Sequence, residues 1–350
     1  PRVILAARRC KYVMEFDDRE LQSTVDSIRS LSPGSFDLAA YEALIRECAH
    51  LSHKEWSLTE AFGDRLGELC GVDGADFAVV FRRVLHGGNW QGALDAAPRS
   101  GKPWVVLVTG LNGIRKTTTM YQPWFKTLLA EAISPRPDET EELPDGTNSF
   151  FRQLDYMLAT LANSEFKALY RDYSQGTVDA YSRRKAEIFG RYRMLAEMLG
   201  IYLMKQCKRR GMNVMVETSG RDVAMFRYIE HVFPDATYNK LVLHFAINDL
   251  KYAEASVDRR MLKEMGDGSA ALATGDTHKV IAANAGGPYG SGVLADVQRD
   301  SDTVWSTVAD GSAGVGQGWY RACIRVNGSN DHAWTACAEG SEEQYIFEPL

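Results

Sequence analysis

Two kinds of apolar pattern alternate along this chain. Trp104-Val-Val-Leu-Val-Thr109, Asn213-Val-Met-Val-Glu217 and Lys240–Ile247 are short, nearly uninterrupted apolar runs rich in β-branched residues. That is the pattern of strands buried on both faces. Elsewhere apolar residues recur every three or four positions, which predicts helices over Asp37–Cys48, Ser57–Cys70 and Ala75–Leu85. The same spacing predicts helices to about Ile133 after the first strand, over Asn148–Asn163, over Val178–Arg210 and over Asp222–Val232. Strand, helix, strand with apolar strands is the signature of an α/β fold with a parallel sheet and helices on both faces. Residues 1–100 read as a helical N-terminal region and 101–265 as the α/β unit, joined by a linker at Ala97–Pro103. Acidic, proline-bearing Ser134–Thr147 reads as an exposed loop. In 266–350 Gly, Ser, Ala and Asp dominate and short alternating runs appear at Arg321–Val326 and Ala333–Ala338. This stretch reads as a loop-rich, partly β extension.

Composition narrows the classes. The 350 residues are 45% hydrophobic and 25% charged, which excludes a disordered or collagen-like chain. No apolar run approaches the ~18 residues needed for a membrane-spanning helix. The formal net charge of −6 argues against general attraction to nucleic acid, although a local basic patch can still hold phosphate. Cys10, Cys48, Cys70, Cys207, Cys323 and Cys337 form no CxxC pair, so they read as thiols of a reducing, intracellular compartment. A Cys323–Cys337 bridge across a hairpin is the alternative for that pair.

The candidate chemistry centres on Gly110-Leu-Asn-Gly-Ile-Arg-Lys-Thr-Thr-Thr119, directly after a strand. A phosphate-binding loop has the spacing G-x-x-x-x-G-K-[ST], with backbone N–H groups converging on an anion. Gly110, Lys116 and Thr117 stand at the required positions, with Asn112, Gly113 and Thr118 inside the same turn. Arg115 replaces the second glycine. Lys116 would neutralise β/γ phosphates and the Thr117 hydroxyl would bind Mg²⁺. The other readings are a loop that has lost its nucleotide and a chance strand–turn–helix.

Three further groups join it. Glu217, at the end of the second strand, could orient Mg²⁺ or contact substrate, and Arg221 could bind phosphate; alternatively Thr218–Asp222 only caps the next helix. Arg259 and Arg260 could close over a transferring phosphoryl group, or form a solvated basic face. Asp155 could take the proton of an acceptor hydroxyl, or pair with Arg152 three residues away on one helix face. The basic run from Arg183 to Arg210 reads as a solvated face. Gly286-Gly-Pro-Tyr-Gly-Ser-Gly292 reads as a flexible turn cluster.

Taken together, GLNGIRKTTT, VMVETSGRD and ASVDRRM resemble the P-loop kinases, especially zeta-toxin-like kinases, over roughly residues 100–265. The resemblance implies a P-loop NTPase-like sheet, ATP or GTP with Mg²⁺, and phosphoryl transfer to a small hydroxyl-bearing acceptor. Carried over residue by residue, Lys116 and Thr117 serve phosphate and Mg²⁺, Arg259 or Arg260 serves the lid, and Asp155 would be the acceptor's base. Signal-recognition-particle GTPases offer a second likeness, through the same loop and Thr218-Ser-Gly-Arg221. Their guanine motif T-K-x-D is absent, with only Ile247-Asn-Asp249 in its place. A different class is a non-catalytic subunit of a larger assembly on a degenerate nucleotide fold, with partners held by the terminal regions.

Overall fold

The apolar runs become neighbouring strands. The computed structural model describes residues 18–70, 79–97, 101–132, 142–328, 334–338 and 345–347. Helices α1 (Asp18–Arg29), α2 (Leu38–Cys48), α3 (Trp56–Leu69), α4 (Arg82–Gly87) and α5 (Trp90–Asp95) precede β1 (Trp104–Gly110). Then come α6 (Lys116–Thr119), α7 (Phe125–Ala132), β2 (Ser149–Arg152), α8 (Leu154–Leu161), α9 (Asn163–Tyr173), α10 (Val178–Arg191) and α11 (Arg193–Arg210). After these follow β3 (Asn213–Glu217), α12 (Ala224–Val232), β4 (Asn239–Ile247), α13 (Leu250–Thr274), α14 (Thr277–Ala283) and α15 (Leu294–Ala309). Strands β5 (Tyr320–Gly328), β6 (Trp334–Ala338) and β7 (Tyr345–Phe347) end the described chain.

In space the strands run β2-β3-β1-β4-β5-β6-β7. The first five are mutually parallel, and β6 and β7 add an antiparallel edge. Every residue of β1 is buried. Val105 and Leu107 face one layer, with α1–α3 and α11, while Trp104, Val106 and Val108 face the other, with α7, α13 and α15. The strand is therefore apolar from Trp104 through Val108. The N-terminal helices share their core with the sheet, so they form one of its two layers.

Local chemistry sets several ends. Asp37 caps α2 by accepting from the Ala40 amide at 2.9 Å. Gly211, with φ +62, closes α11, and the basic Lys208, Arg209 and Arg210 sit in that helix's last turn beside its negative dipole end. Cys48 and Cys207 are buried free thiols, and burial pushes the Cys48 thiol up to about 12. Among the described residues no helix is long and apolar enough to cross a membrane.

Several expectations change. The single helix over Asn148–Asn163 is instead strand β2 followed by α8, because Phe150 and Phe151 bury on opposite faces of the sheet. Arg152 and Asp155 consequently do not share a helix face. The helix over Val178–Arg210 breaks at Tyr192 into α10 and α11. The region from 266 is largely ordered structure: α13 continues to Thr274, α15 spans 16 residues and β5 joins the parallel sheet beside β4. Gly268 lies within α13 because Tyr170 packs there; a Cβ would stand 2.4 Å from that ring. Residues 75–78, 98–100 and 134–141 of the expected helix, linker and acidic loop lie outside the described residues, as do Cys10 and Ala333.

Candidate functional site

Strands β1, β3 and β4 deliver their C-terminal ends to one edge of the sheet. Chain order places β2 and β3 on one side of β1 and β4 and β5 on the other, so a crevice opens outside those ends. Gly110 ends β1 with φ +120, and a Cβ there would lie 2.2 Å from the Phe245 carbonyl oxygen of β4. Only glycine permits that approach. The loop then bends through Gly113 at φ +85 and Arg115 at φ +58 before α6 begins at Lys116. Left-handed backbone costs a non-glycine residue about 1–2 kcal/mol, yet the arginine holds the turn in which the phosphate-loop pattern has glycine.

The Lys116 ammonium is almost fully buried. It donates to the carbonyls of Gly110 (2.9 Å) and Leu111 (2.8 Å) and lies 3.4 Å from Glu217 Oε1. Burial lowers its pKa, and Glu217 pulls it back up. Glu217 reaches this position because β3 pairs in register with β1, Val108 opposite Glu217. The Thr117 hydroxyl donates to the other carboxylate oxygen of Glu217. A lysine, a hydroxyl and a carboxylate from two strand ends thus meet at one point.

A cavity of about 990 Å³ opens in front of them. Asn112, Gly113, Arg115, Lys116, Thr117, Thr118, Asp155, Glu217, Arg259 and Arg260 all line it; Gly110 lies behind the wall. Nine Lys and Arg side chains face this space against three Asp and Glu, in a chain whose net charge is −6. Arg260 contributes two buried donors, Nε and Nη2, with no partner among the described residues. Unpaired buried guanidinium donors are costly, and an anion in the cavity would satisfy them. Asp155 lies in the first turn of α8. Burial raises its carboxyl pKa, Glu217 and Glu264 add to the rise, and Lys185 and Arg260 oppose it.

Residues that support the cavity wall from behind, and others that line it, escaped the sequence reading. Lys185 is wholly buried and donates to Glu264 Oε1 (2.7 Å), Glu264 Oε2 (2.8 Å), Asn284 Oδ1 (2.7 Å) and the Gly286 carbonyl (2.6 Å). At this position it corrects the expectation of a solvated basic face, which Arg183, Lys208, Arg209 and Arg210 do meet. The signal was present: Tyr181, Lys185 and Ile188 fall at i, i+4 and i+7, on the apolar stripe of α10. Asn284 in turn donates to the Asp155 carbonyl at 2.8 Å. The glycine cluster read as a flexible turn is therefore a pinned wall, with Gly286 packed on Arg260 and Gly287 near Asn112. Arg221 donates to the Tyr289 hydroxyl (2.5 Å), joining the loop after β3 to this wall. Arg152 is buried against Glu197, which Arg193 shares at 2.7 Å. His53, Lys54 and Trp56 of the N-terminal layer complete the lining.

Among the described residues no cluster of three or more His, Cys, Asp or Glu side chains could hold a metal ion by itself. Asp249 caps α13 by accepting from the Tyr252 amide at 3.2 Å. No protein-family model matches the chain, and neither does any curated protein.

Proposed function

We propose that the chain binds a nucleoside triphosphate and transfers its terminal phosphoryl group to a small hydroxyl-bearing acceptor. The observation that carries this reading is the meeting of Lys116, Thr117 and Glu217 at the mouth of a cation-lined cavity. The triphosphate tail would lie along the loop after β1, with Lys116 beneath it and Arg260 donating from the far wall. The strand order, with the loop on the central strand, favours a P-loop NTPase-like sheet.

Mg²⁺ is compatible with the residues present. A threonine hydroxyl and a carboxylate are hard oxygen donors, and Mg²⁺ takes its remaining ligands from water and phosphate. Thr117 and Glu217 would hold it, and the ion would neutralise charge on the phosphate oxygens. Asp155 is the acceptor's base in this scheme. Burial raises the Asp155 carboxyl pKa, and a carboxylate of higher pKa is the stronger base.

A second reading, a non-catalytic subunit on a retired nucleotide fold, has an observation in its favour. Lys116 bonds to the carbonyls of its own loop, and an arginine occupies the glycine position. GTP is the less favoured nucleotide, because Asp249 is already engaged as a helix cap. Calorimetry with Mg·ATP and Mg·GTP separates the readings. ATP should bind, and Lys116→Ala should weaken it about 10- to 100-fold, the worth of a charge-assisted contact. Silence from both nucleotides would end the proposal, and binding without transfer to any hydroxyl compound would favour the second reading.

A further inference from the structure

The cavity holds a second set of charges that the phosphate reading leaves unused. His53 of the N-terminal layer, Arg152 at the end of β2 and Arg193 at the start of α11 line it together. Glu197, one turn along from Arg193, pairs with Arg152, and its Oε1 lies 2.7 Å from Arg193 Nη2. The charges acting most strongly on Glu197 and His53 come from within this group and from Lys54. Those acting most strongly on Lys116 and Asp155 are Glu217, Arg260, Lys185 and Glu264, besides each other. The two sets share no member, so they mark two ends of one space.

The second set does not balance. Glu197 supplies one negative charge against two arginines. Burial, then Arg193, holds the His53 pKa below its ordinary value, so the imidazole is neutral at pH 7. Lys54 has its own partner, Asp222, at 3.7 Å. One positive charge is left over, and Arg193 is where the cavity meets it. Arg152 is 1% exposed and closed against α11, where a Cβ on Gly200 would lie 2.7 Å from its Nε. The Arg193 side chain is 33% exposed, and its Nε is a buried donor with no hydrogen-bond partner among the described residues. Arg193 also opens α11, so the positive end of that helix adds to its charge. One oxygen anion would answer the excess charge, the orphan donor and the helix end at once.

We propose that this end of the cavity binds the carboxylate of a hydroxy acid, with Arg193 as the residue that selects it. The hydroxy acid's role as acceptor rests on the phosphotransferase reading; its binding needs no nucleotide. One unmatched charge fits a carboxylate, whereas a phosphate monoester brings roughly −1.5 to −2. The ligand is short. Asp155 follows Arg152 by three residues, so their Cα atoms are at most about 11 Å apart, and both arginines meet at Glu197. A hydroxyl beside Asp155 and a carboxylate at Arg193 therefore fit within one small molecule. Trp56, Phe189 and Met225 give its carbon skeleton an apolar wall.

Calorimetry of the full chain at millimolar ligand, without nucleotide, compares two hydroxy acids with alcohols of the same skeleton. The pairs are glycerate with glycerol, and 3-(hydroxymethyl)benzoate with benzyl alcohol. Wild type should bind at least one acid about tenfold or more tightly than its alcohol, the worth of a charge-assisted contact. Arg193→Gln should cut that preference to about threefold or less, and Arg193→Lys, which keeps the charge, should retain most of it. Glu197 keeps Arg152 in both variants, and thermal melts check that they fold. No preference in wild type, or an undiminished one in Arg193→Gln, overturns the subsite. Glycerol 3-phosphate bound more tightly than glycerate overturns the carboxylate as its anion. Mg·ATP binding is measured alongside. Wild type that binds Mg·ATP but shows no acid preference removes this inference and leaves the nucleotide site standing; an acid preference without Mg·ATP binding leaves the subsite standing and removes the phosphotransferase reading.

Discussion

Replacing Lys185 by methionine tests whether the cavity wall is held by one buried ion pair. Both Lys185 and Glu264 are fully excluded from solvent. In Lys185→Met, Glu264 keeps only two neutral donors, the Tyr181 hydroxyl at 2.6 Å and the Ala285 amide at 2.8 Å. At 2.7 Å the lost attraction is about 6 kcal/mol for an effective dielectric constant near 20. The variant also escapes the desolvation of the ammonium, and breaking one half of a buried pair typically leaves a net loss of about 3–5 kcal/mol. With an unfolding entropy of about 2.1 cal/mol/K per residue, that loss lowers the Tm of a chain this long by about 4–7 °C. Lys185→Met/Glu264→Gln removes both charges and should recover most of the deficit, since the cost lies in the orphaned carboxylate.

The same substitution should loosen the site. Lys185 holds Asn284 and the Gly286 carbonyl, and Glu264 holds the Ala285 amide. Hydrogen exchange at the amides of 284–287 should therefore quicken in Lys185→Met well beyond the rise in β1, which lies in the core. Thermal melts of the single and double variants, with exchange on each, complete the assay. A single variant within about 1 kcal/mol of wild type, or a double variant no better than the single, would refute the argument that this pair pins the wall.

Two other perturbations probe carboxylates. Asp155→Asn should cut phosphoryl transfer by about 10²–10⁴, the usual worth of a general base, and leave Mg·ATP affinity nearly unchanged; because burial raises the Asp155 pKa, the acid limb of the wild-type pH–rate profile should lie above the ordinary carboxylate range, and a limb near pH 4 would contradict the assignment. Glu197 is also wholly buried, but there Arg152, Arg193 and His53 outweigh burial and hold the carboxyl below its ordinary value. A carboxylate with a depressed folded pKa stabilises the fold above its unfolded pKa of about 4.3, and that contribution fades as pH falls through the lower folded value. Denaturant melts should thus show Glu197→Gln far less stable than wild type at pH 7 and converging with it below about pH 4; a deficit that does not change with pH would show that charge is not its source.

Parts of this architecture could be read from local sequence, and the physics of burial says which. β1, β3 and β4 are covered on both sides, so most of their positions are apolar and the runs stood out, with Asn213, Lys240 and His244 as buried polar exceptions. The residues of the turn after β1 were legible as one group because they are contiguous, and a strand–turn–helix is a local property. β2 was missed because four residues cannot establish a period of two, and the helix that follows at once lent them its own pattern. The stretch from 266 misled because its small residues look like loop, whereas in α13 Gly268 leaves room for the Tyr170 ring.

The cavity wall is a different matter. Its cations come from the N-terminal layer, the loop after β1 with the start of α6, β2, α11, the loop after β3 and α13, and only packing brings them together. Averaged along the chain, those charges vanish into a net −6. Collected around one space they stand nine against three, with Lys54, Lys116, Arg152, Arg193 and Lys263 each within ion-pair distance of a carboxylate. Arg260, with two buried donors that have no partner among the described residues, is where an anion would be held most strongly. Polyphosphate should therefore raise the melting temperature, and Arg260→Ala should remove most of that rise; a rise of the same size in the variant would show that the Arg260 donors take no part in holding the anion.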